Sequence, residues 1–262
     1  MAENSNIEWT THTFNPWMGC AKVSHGCKNC YAEAMFDHRL QQVKWGMNGV
    51  RKKTSPSNWA KPRMWNRRAK AGNRRDRVFC ASLADVFEAH PTIQAEWRAE
   101  LWKLMEETPH LDWLVLTKRP ESIAFLVPKR WLDGDWPNNV WVGTSVENQQ
   151  RAEERIPQLL EIPAPVRFLS CEPLLESVDL TQWLDDSIDW VIAGGESGSN
   201  ARPMEGRWAR SLRDQCRFYA TPFFFKQWGE FNPRGIRVGK KKAGRLLDGA
   251  TWEQTPRKRG GQ

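Results

Sequence analysis

The sequence predicts an α/β protein, built as a partial or near-complete parallel (β/α) barrel of about six or seven strands. Three observations favour this fold: short apolar runs recur along the chain, helix-like segments separate them, and an ionisable or nucleophilic residue follows each run. A barrel brings the carboxyl ends of all its strands to one mouth, where active sites form. An open doubly wound sheet fits the same strand count, but it would scatter about half of those polar residues.

The predicted strands are apolar runs with the length and composition of buried parallel strands. The first lies within residues 7–14 and leads into a loop that contains three cysteines. The remaining six are RVFCAS, DWLVLT, VWVGTS, VRFLS, DWVIAGG and PFFFKQ.

Four segments between the strands are predicted to be helical. Residues 94–107 carry apolar side chains on one face and charged residues elsewhere. A second helix begins at Pro120, which suits the first helical position. A third covers residues 148–160, where Pro157 predicts a kink or a break, and a fourth lies at residues 208–219.

The chain of 262 residues is long enough to bury a sizeable core, and we expect one barrel domain over residues 1–235. Residues 44–77 form a basic, tryptophan-bearing insertion, of which residues 46–73 read as irregular and turn-rich. Residues 236–262 read as a basic, mobile tail. Because no apolar run approaches twenty residues and the first residues are polar, the sequence predicts a cytoplasmic protein without a membrane span or signal peptide.

The positive charge is concentrated in two segments. Residues 44–77 contain twelve Lys/Arg and one acid, residues 232–262 contain nine and two, and the total of +8 therefore leaves −10 for the rest of the chain. Such local charge favours a polyanionic partner: DNA, RNA or a nucleotide. Tryptophans in the insertion offer stacking faces for bases, or alternatively anchor the insertion by packing. The candidate nucleic-acid-binding residues are Arg51, Lys52, Lys53, Trp59, Lys61, Arg63, Trp65, Arg67 and Arg68.

Cys20, Cys27 and Cys30 lie within eleven residues of one another. In a reducing compartment such a cluster indicates a metal site rather than disulfides. A structural zinc site normally has four protein ligands, for which His25 or His38 is the available fourth. A [4Fe–4S] cluster held by three cysteines instead leaves one iron open to a small molecule. Three unliganded thiols are the remaining alternative.

Motifs along nearly the whole chain resemble a known family: FNPWMGC, CKNCYAE, LTKRPE, WVGTSVEN, FLSCEPLLE, VIAGGESG and FFFKQWGE. They are similar to a phage- and prophage-associated three-cysteine-motif family of unknown activity, grouped with the radical-SAM barrel enzymes. The resemblance implies that Cys20, Cys27 and Cys30 ligate a [4Fe–4S] cluster. It also implies that S-adenosylmethionine (SAM) chelates the free iron.

A SAM site needs acids for the amine and the ribose hydroxyls, and a cation for the carboxylate. Strand-end polar residues are the candidates, although each would also suit a solvated charge or a helix cap. Arg119 is an alternative to Lys118 for the carboxylate. The cofactor-binding candidates are Ser82, Asp85, Lys118, Ser145, Glu147, Glu172 and Glu196. The catalytic candidates are Cys171, Lys118 and Lys226, and core packing is an equal alternative for Cys171.

Together these features predict a radical-SAM enzyme that generates a 5′-deoxyadenosyl radical and modifies or repairs a nucleic-acid base or nucleotide. It would need an external electron donor. One rival is a zinc- or cluster-stabilised nucleic-acid-binding protein without catalysis. Another is a radical-SAM enzyme that acts on a small molecule or a protein.

Overall fold

The structure, a computed structural model, describes residue 5 and residues 7–256. Seven strands form one sheet in the order β1-β4-β5-β6-β7-β8-β9, and β2 and β3 form a two-stranded antiparallel sheet. The strands are β1 His12–Thr13, β2 Trp17–Met18, β3 Lys52–Lys53, β4 Asp76–Cys80, β5 Leu111–Thr117, β6 Val140–Ser145, β7 Arg167–Cys171, β8 Trp190–Gly194 and β9 Phe223–Gln227.

Helices occupy most of the crossovers between these strands. They are α1 Tyr31–Glu33, α2 Pro56–Ala71, α3 Ala95–Glu106, α4 Ile123–Leu126, α5 Gln149–Leu160, α6 Gly206–Phe218 and α7 Lys240–Ala243. Short 3-10 turns lie at His25–Cys27, Pro120–Ser122 and Thr181–Trp183, and wider turns lie at Ala34–Arg39 and Trp131–Asp135. No described helix is long and apolar enough to cross a membrane.

The chain divides into two compact units. The first contains the described residues up to Val23, together with Ala32–Val142 and Ile162–Pro165. In its sheet β1, β4 and β5 pair in parallel, with Val78 opposite both His12 and Trp113. These strands are buried along nearly their whole length, as parallel strands covered on both faces are.

The second unit contains Ser24–Tyr31, Gly143–Glu161 and the described residues from Val166 onward. Here β7, β8 and β9 pair in parallel, with Ile192 opposite both Ser170 and Phe224. Helices α5 and α6 each bury one face, so the predicted strand–helix alternation is confirmed in this unit.

Helix α2 corrects the prediction of an irregular insertion for residues 56–71, whereas residues 46–51 are irregular as predicted. Ser55 caps its first turn by accepting a hydrogen bond from the Asn58 backbone N–H at 3.3 Å, and Pro56 occupies the first helical position. Gly72 ends the helix. Ser55, Pro56 and Gly72 are therefore the start and stop signals of a sixteen-residue helix.

Pro157 does not divide α5, which runs without a break from Gln149 to Leu160. Proline removes the hydrogen bond to the carbonyl four residues earlier, at Glu153. Both residues lie on the exposed face, where water can solvate that carbonyl. The buried face, which includes Ile156, stays packed.

Residues 236–256 of the predicted tail make backbone hydrogen bonds and an ion pair with β9 and α6. The Phe225 N–H donates to the Trp252 carbonyl at 2.9 Å, and the Gln254 N–H donates to the Phe223 carbonyl at 3.2 Å. Asp248 pairs with Arg210 of α6 at 2.8 Å. Residues 257–262 of the predicted tail lie outside the described residues.

Candidate functional site

The first unit contains a buried group of charged side chains beside Cys20, here called the Cys20 cluster: Cys20, Arg51, Asp85, Glu88 and Arg119. The chain places them together because Asp85 and Glu88 follow the carboxyl end of β4, and Arg119 follows the carboxyl end of β5. Ends of adjacent parallel strands lie at the same edge of a sheet. Arg51 comes from the segment just before β3.

Arg119 donates hydrogen bonds to both the cysteine loop and the carboxylates. Its Nη1 lies 3.7 Å from Cys20 Sγ and 3.0 Å from Asp85 Oδ2. Its Nη2 lies 2.8 Å from the Ala21 carbonyl oxygen and 3.4 Å from Glu88 Oε1. Burial disfavours the charged guanidinium, but the adjoining carboxylates outweigh it and raise the pKa of Arg119. Arg119 is therefore a permanent cation in contact with the Cys20 sulfur.

The Cys20 thiol is itself held in the protonated form when no metal is bound. Burial, and next the Asp85 carboxylate, raises the pKa of Cys20 to about 12, while the Arg119 guanidinium acts in the opposite direction. A metal ligand must be the thiolate. Arg119 therefore supplies part of the positive charge that a ligating Cys20 requires.

Glu88 connects the cysteine loop to Arg51. The Arg51 Nε and Nη2 atoms donate to the two Glu88 oxygens, each at 2.7 Å, and the Ala21 N–H donates to Glu88 Oε1 at 2.9 Å. Arg51 Nη1 also donates to the Gly46 carbonyl at 3.0 Å. Both side chains are almost completely buried, so this bidentate pair fixes the backbone beside Cys20.

Asp85 has a structural part in this cluster. Its Oδ1 accepts hydrogen bonds from the Phe87 N–H and the Thr117 hydroxyl, and its Oδ2 accepts from the Lys118 N–H and Arg119. Four donors occupy this carboxylate, which therefore positions the loops after β4 and β5. Among the other predicted residues of this unit, Ser82 is in hydrogen-bond contact with Asn15 Nδ2 at 3.1 Å, and Lys118 directly follows β5.

In the second unit, residues 24–31 form the segment here called the Cys27 turn. It contains a 3-10 turn at His25–Cys27 and, three residues further on, Cys30. The Asn29 Nδ2 donates to Glu196 Oε2 at 3.0 Å, and the Arg202 Nη2 donates to the His25 carbonyl at 3.0 Å. Arg202 also contacts both oxygens of Glu196, through Nη2 at 2.6 Å and Nε at 2.8 Å. The Glu196–Arg202 pair therefore holds the Cys27 turn at two points.

These contacts determine the charge of Glu196. Burial would raise its pKa, but the hydrogen bonds from Arg202 and Asn29 outweigh burial, so the pKa of Glu196 lies below its ordinary value of 4.5. Glu196 is an anion with a positioning role.

Glu147 lies directly against the same turn. A Cβ atom on Gly26 would come within 2.9 Å of Glu147 Cδ, so only glycine fits at this position without a shift. Arg155 Nη1 donates to Glu147 Oε2 and to the Ser145 carbonyl, both at 2.8 Å. Glu147 is fully buried and Ser145 nearly so, and both lie at the carboxyl end of β6.

Glu172 and Lys226 form an ion pair at the carboxyl ends of β7 and β9, with 3.0 Å between Lys226 Nζ and Glu172 Oε1. Cys171 differs from its neighbour because its side chain is fully buried. Burial, followed by the proximity of Cys216, raises the pKa of the Cys171 thiol well above its ordinary value. The packing alternative therefore describes Cys171, and its candidacy as a catalytic residue is corrected.

In the GGES segment, residues 194–197, close packing requires a glycine at position 195. A Cβ atom on Gly195 would lie 2.0 Å from the Trp228 carbonyl oxygen, and the Gly195 N–H donates to the Gln227 carbonyl at 3.0 Å. The segment thus continues the β8–β9 pairing and presents Glu196 to Arg202.

Three of the predicted nucleic-acid-binding residues are buried, which corrects their proposed contact with a ligand. Trp65 stacks on His12 with 4.3 Å between ring centroids, Trp59 packs edge-on against Phe14 at 5.4 Å, and Arg51 belongs to the Cys20 cluster. Both rings anchor α2, as the packing alternative held. Lys52, Arg63, Arg67 and Arg68 are exposed, and Lys53 and Lys61 are half-buried.

All three cysteines of the loop are partly accessible, and three soft sulfur donors suit iron–sulfur or zinc chemistry. Cys20 belongs to the first unit, and Cys27 and Cys30 belong to the second. Among the described residues, no group of three or more His, Cys, Asp or Glu side chains is arranged to hold a metal ion. The donor chemistry fits a cluster, and the ligand set stays a prediction.

Several positioning residues escaped the sequence analysis, namely Asn29, Glu88, Arg155 and Arg202. Their roles depend on contacts between distant segments. Only Glu88 could have been proposed from the sequence, because it lies three residues after the candidate Asp85 in the loop that follows the same strand.

A mutant form of spore photoproduct lyase is similar in structure, with a TM-score of 0.50 and 11% sequence identity over 82% of this chain and 74% of that chain. At this identity the likeness shows the fold alone, and it confirms the predicted partial (β/α) barrel of the radical-SAM type. No curated protein matches the sequence. The family described as "Protein of unknown function (DUF5131)" matches residues 4–256, and the chain belongs to this family.

Proposed function

We propose that this protein is a radical-SAM enzyme that modifies or repairs a nucleic-acid base or nucleotide. The observation that carries the proposal is the position of the three cysteines, in the loop that follows the first strand of a radical-SAM-type sheet. Three thiolates leave one iron of a [4Fe–4S] cluster open. The distant likeness to a lyase of this fold supports an enzyme.

Cys20, Cys27 and Cys30 would hold the cluster. With SAM bound, the cluster would supply the electron that releases a 5′-deoxyadenosyl radical, which abstracts hydrogen from the substrate. The protein's own residues position these ligands: Arg119 and Glu88 fix the loop at Cys20, and Glu196 with Arg202 fixes the Cys27 turn. The proposed SAM-binding residues are then Ser82, Lys118, Ser145, Glu147 and Glu172.

The proposed partner is a nucleic acid that contacts the exposed face of α2. Arg63, Arg67 and Lys70 recur at helical spacing and all three are exposed, so they form one exposed stripe along the helix. Arg63 pairs with Glu107 at 2.6 Å, whereas Arg67 and Lys70 make no ion pair within the described part of the chain. The positive charge of this face attracts phosphates. Because the tryptophan rings are buried, the face offers no stacking surface to bases.

Anaerobic reconstitution with iron and sulfide tests the cofactor. We expect a paramagnetic resonance signal from the dithionite-reduced protein that changes when SAM is added, and formation of 5′-deoxyadenosine. A colourless protein that retains one tightly bound zinc would overturn the proposal and support the non-catalytic alternative.

Fluorescence anisotropy with duplex and single-stranded oligonucleotides tests the partner. We expect binding that weakens steeply with salt and is insensitive to base sequence. Absence of binding at low salt, in a protein that cleaves SAM, would direct the chemistry to a small molecule or a protein.

A further inference from the structure

Arg119 contacts the cysteine loop at two points, the Cys20 side chain and the Ala21 backbone. One guanidinium nitrogen lies 3.7 Å from the Cys20 sulfur, and the other donates to the Ala21 carbonyl at 2.8 Å. The side chain is only 10% exposed, so water screens these contacts weakly. Hydrogen bonds to ligand sulfurs and nearby charges are two of the factors that set the reduction potential of an iron–sulfur cluster.

Four charged side chains near Cys20 pair with one another. Arg51 and Arg119 face Asp85 and Glu88, with ion-pair distances of 2.7 Å for Arg51–Glu88, 3.0 Å for Arg119–Asp85 and 3.4 Å for Arg119–Glu88. All four side chains are at least nine-tenths buried. Neutralising any one of these four side chains therefore changes the buried charge near Cys20 by one unit.

Coulomb's law gives the sign of each effect at the Cys20 sulfur. The Arg119 cation, 3.7 Å from Sγ, favours added negative charge there, whereas the Glu88 carboxylate, which accepts from the neighbouring Ala21 N–H at 2.9 Å, disfavours it. Reduction of a cluster by one electron adds negative charge at the same place. The cation and the carboxylates must therefore act on the reduced state in opposite directions.

We infer that Arg119 is a positioning residue that holds Cys20 as a cluster ligand and raises the reduction potential of the cluster, and that Glu88 lowers it. This inference rests on the proposed function. It gives the charged side chains of the Cys20 cluster a second role besides folding, namely setting the reduction potential of the iron–sulfur cluster. If these side chains were purely structural, removing a positive and a negative charge would not shift that potential in opposite directions.

The test is a potentiometric titration of the reconstituted protein, followed by paramagnetic resonance, for four forms: wild type, Arg119→Gln, Glu88→Gln and Arg75→Gln. Arg119→Gln should shift the midpoint potential downward, and Glu88→Gln should shift it upward. Glu88→Gln keeps an oxygen that can accept from the Ala21 N–H. Arg75, paired with Asp112 at 2.6 Å just before the amino end of β4, is the matched control and should leave the potential unchanged.

If Arg119→Gln fails to fold, Arg119→Lys and Glu88→Gln carry the test: the lysine should keep the potential near wild type, while the glutamine still raises it. Shifts in the same direction for Arg119→Gln and Glu88→Gln, or potentials equal to that of wild type, would overturn the inference and leave the proposed function intact. Failure of the wild-type protein to assemble any cluster would instead overturn the proposed function.

Discussion

Arg202 and Glu196 form a bidentate ion pair that also holds the Cys27 turn. Arg202 donates to both carboxylate oxygens at 2.6 and 2.8 Å, and its Nη2 reaches the His25 carbonyl at 3.0 Å. The pair thus links the segment after β8 to the backbone two residues before Cys27. It is well placed to determine how rigidly that turn presents its thiols.

Replacing Arg202 with alanine should loosen the Cys27 turn. We expect a loss of about 1–2 kcal/mol in the free energy of unfolding, because charge-assisted hydrogen bonds are lost at a partly buried position. Alkylation of Cys27 and Cys30 in the metal-free protein should become faster, as followed by mass spectrometry. Arg207→Ala removes an exposed ion pair with Glu205 and should change neither measurement. Equal alkylation rates in both variants would contradict this role.

Glu196 should make stability depend on pH in the acidic range. Because its pKa in the folded protein lies below the ordinary 4.5, its contribution is complete above pH 4.5 and is lost as the pH falls through the folded value. The difference in unfolding free energy between wild type and Glu196→Gln should therefore be constant near neutrality and shrink below pH 4.5. Urea unfolding from pH 7 downward measures it, and a constant difference would exclude the expected linkage.

Gly26→Ala should disturb the contact between the cysteine turn and Glu147. The added Cβ meets the Glu147 carboxyl carbon at 2.9 Å, and that carboxylate is buried and held by Arg155. Overpacking of this kind costs about 1–3 kcal/mol, measurable by thermal or urea unfolding. Gly72→Ala is the control, since its Cβ is crowded only by the end of the flexible Arg74 side chain and lies at an ordinary contact distance of 3.4 Å from the Arg68 carbonyl oxygen. Similar stabilities for the two variants would contradict the close packing.

The anchoring and phosphate-contacting roles of α2 should separate by mutation. Trp65→Ala should cost about 3–5 kcal/mol of stability, because a fully buried aromatic ring is lost. Arg67→Gln and Lys70→Gln should leave stability nearly unchanged. Each should lower the slope of log binding constant against log salt by about 1 if it contacts a phosphate. Anisotropy titrations at several salt concentrations decide this, and unaltered slopes would remove α2 from the proposed interface.

Cys171→Ala should retain iron after reconstitution, whereas alanine at Cys20, Cys27 or Cys30 should abolish cluster loading. Cys171 is fully buried beside Cys216, and the raised pKa of its thiol protects it from alkylation near neutral pH. Iron analysis and thiol alkylation of the folded protein measure both properties. Retention of iron by all three loop variants would eliminate the cysteine site.

Most strands of the seven-stranded sheet were predictable because each contains a short apolar run, which indicates a buried strand without tertiary context. Helix α2 was not, since Ser55, Pro56 and Gly72 serve equally in turns and at helix ends. What distinguishes the two is burial at three- and four-residue spacing, by Trp59, Pro62, Trp65 and Ala69.

The candidate site was predictable in position and less so in role. Polar residues after the strands do lie at the strand ends, as for Asp85 and Glu196. Their functions depend on partners far along the chain: Asp85 is occupied by donors from residues 87–119, and Glu196 by Asn29 and Arg202. A sequence shows which carboxylates are available, whereas the fold determines which of them already have hydrogen-bond donors.

The hydrogen bonds between β9 and residues 252–254 have a consequence for association between molecules. An uncovered terminal strand offers unpaired N–H and C=O groups to a strand of another molecule. Glu253 forms an antiparallel bridge with Phe224, so the C-terminal segment occupies part of that edge. Truncation before Leu247 would expose an aromatic edge strand, and we expect the shortened protein to aggregate in proportion to its concentration.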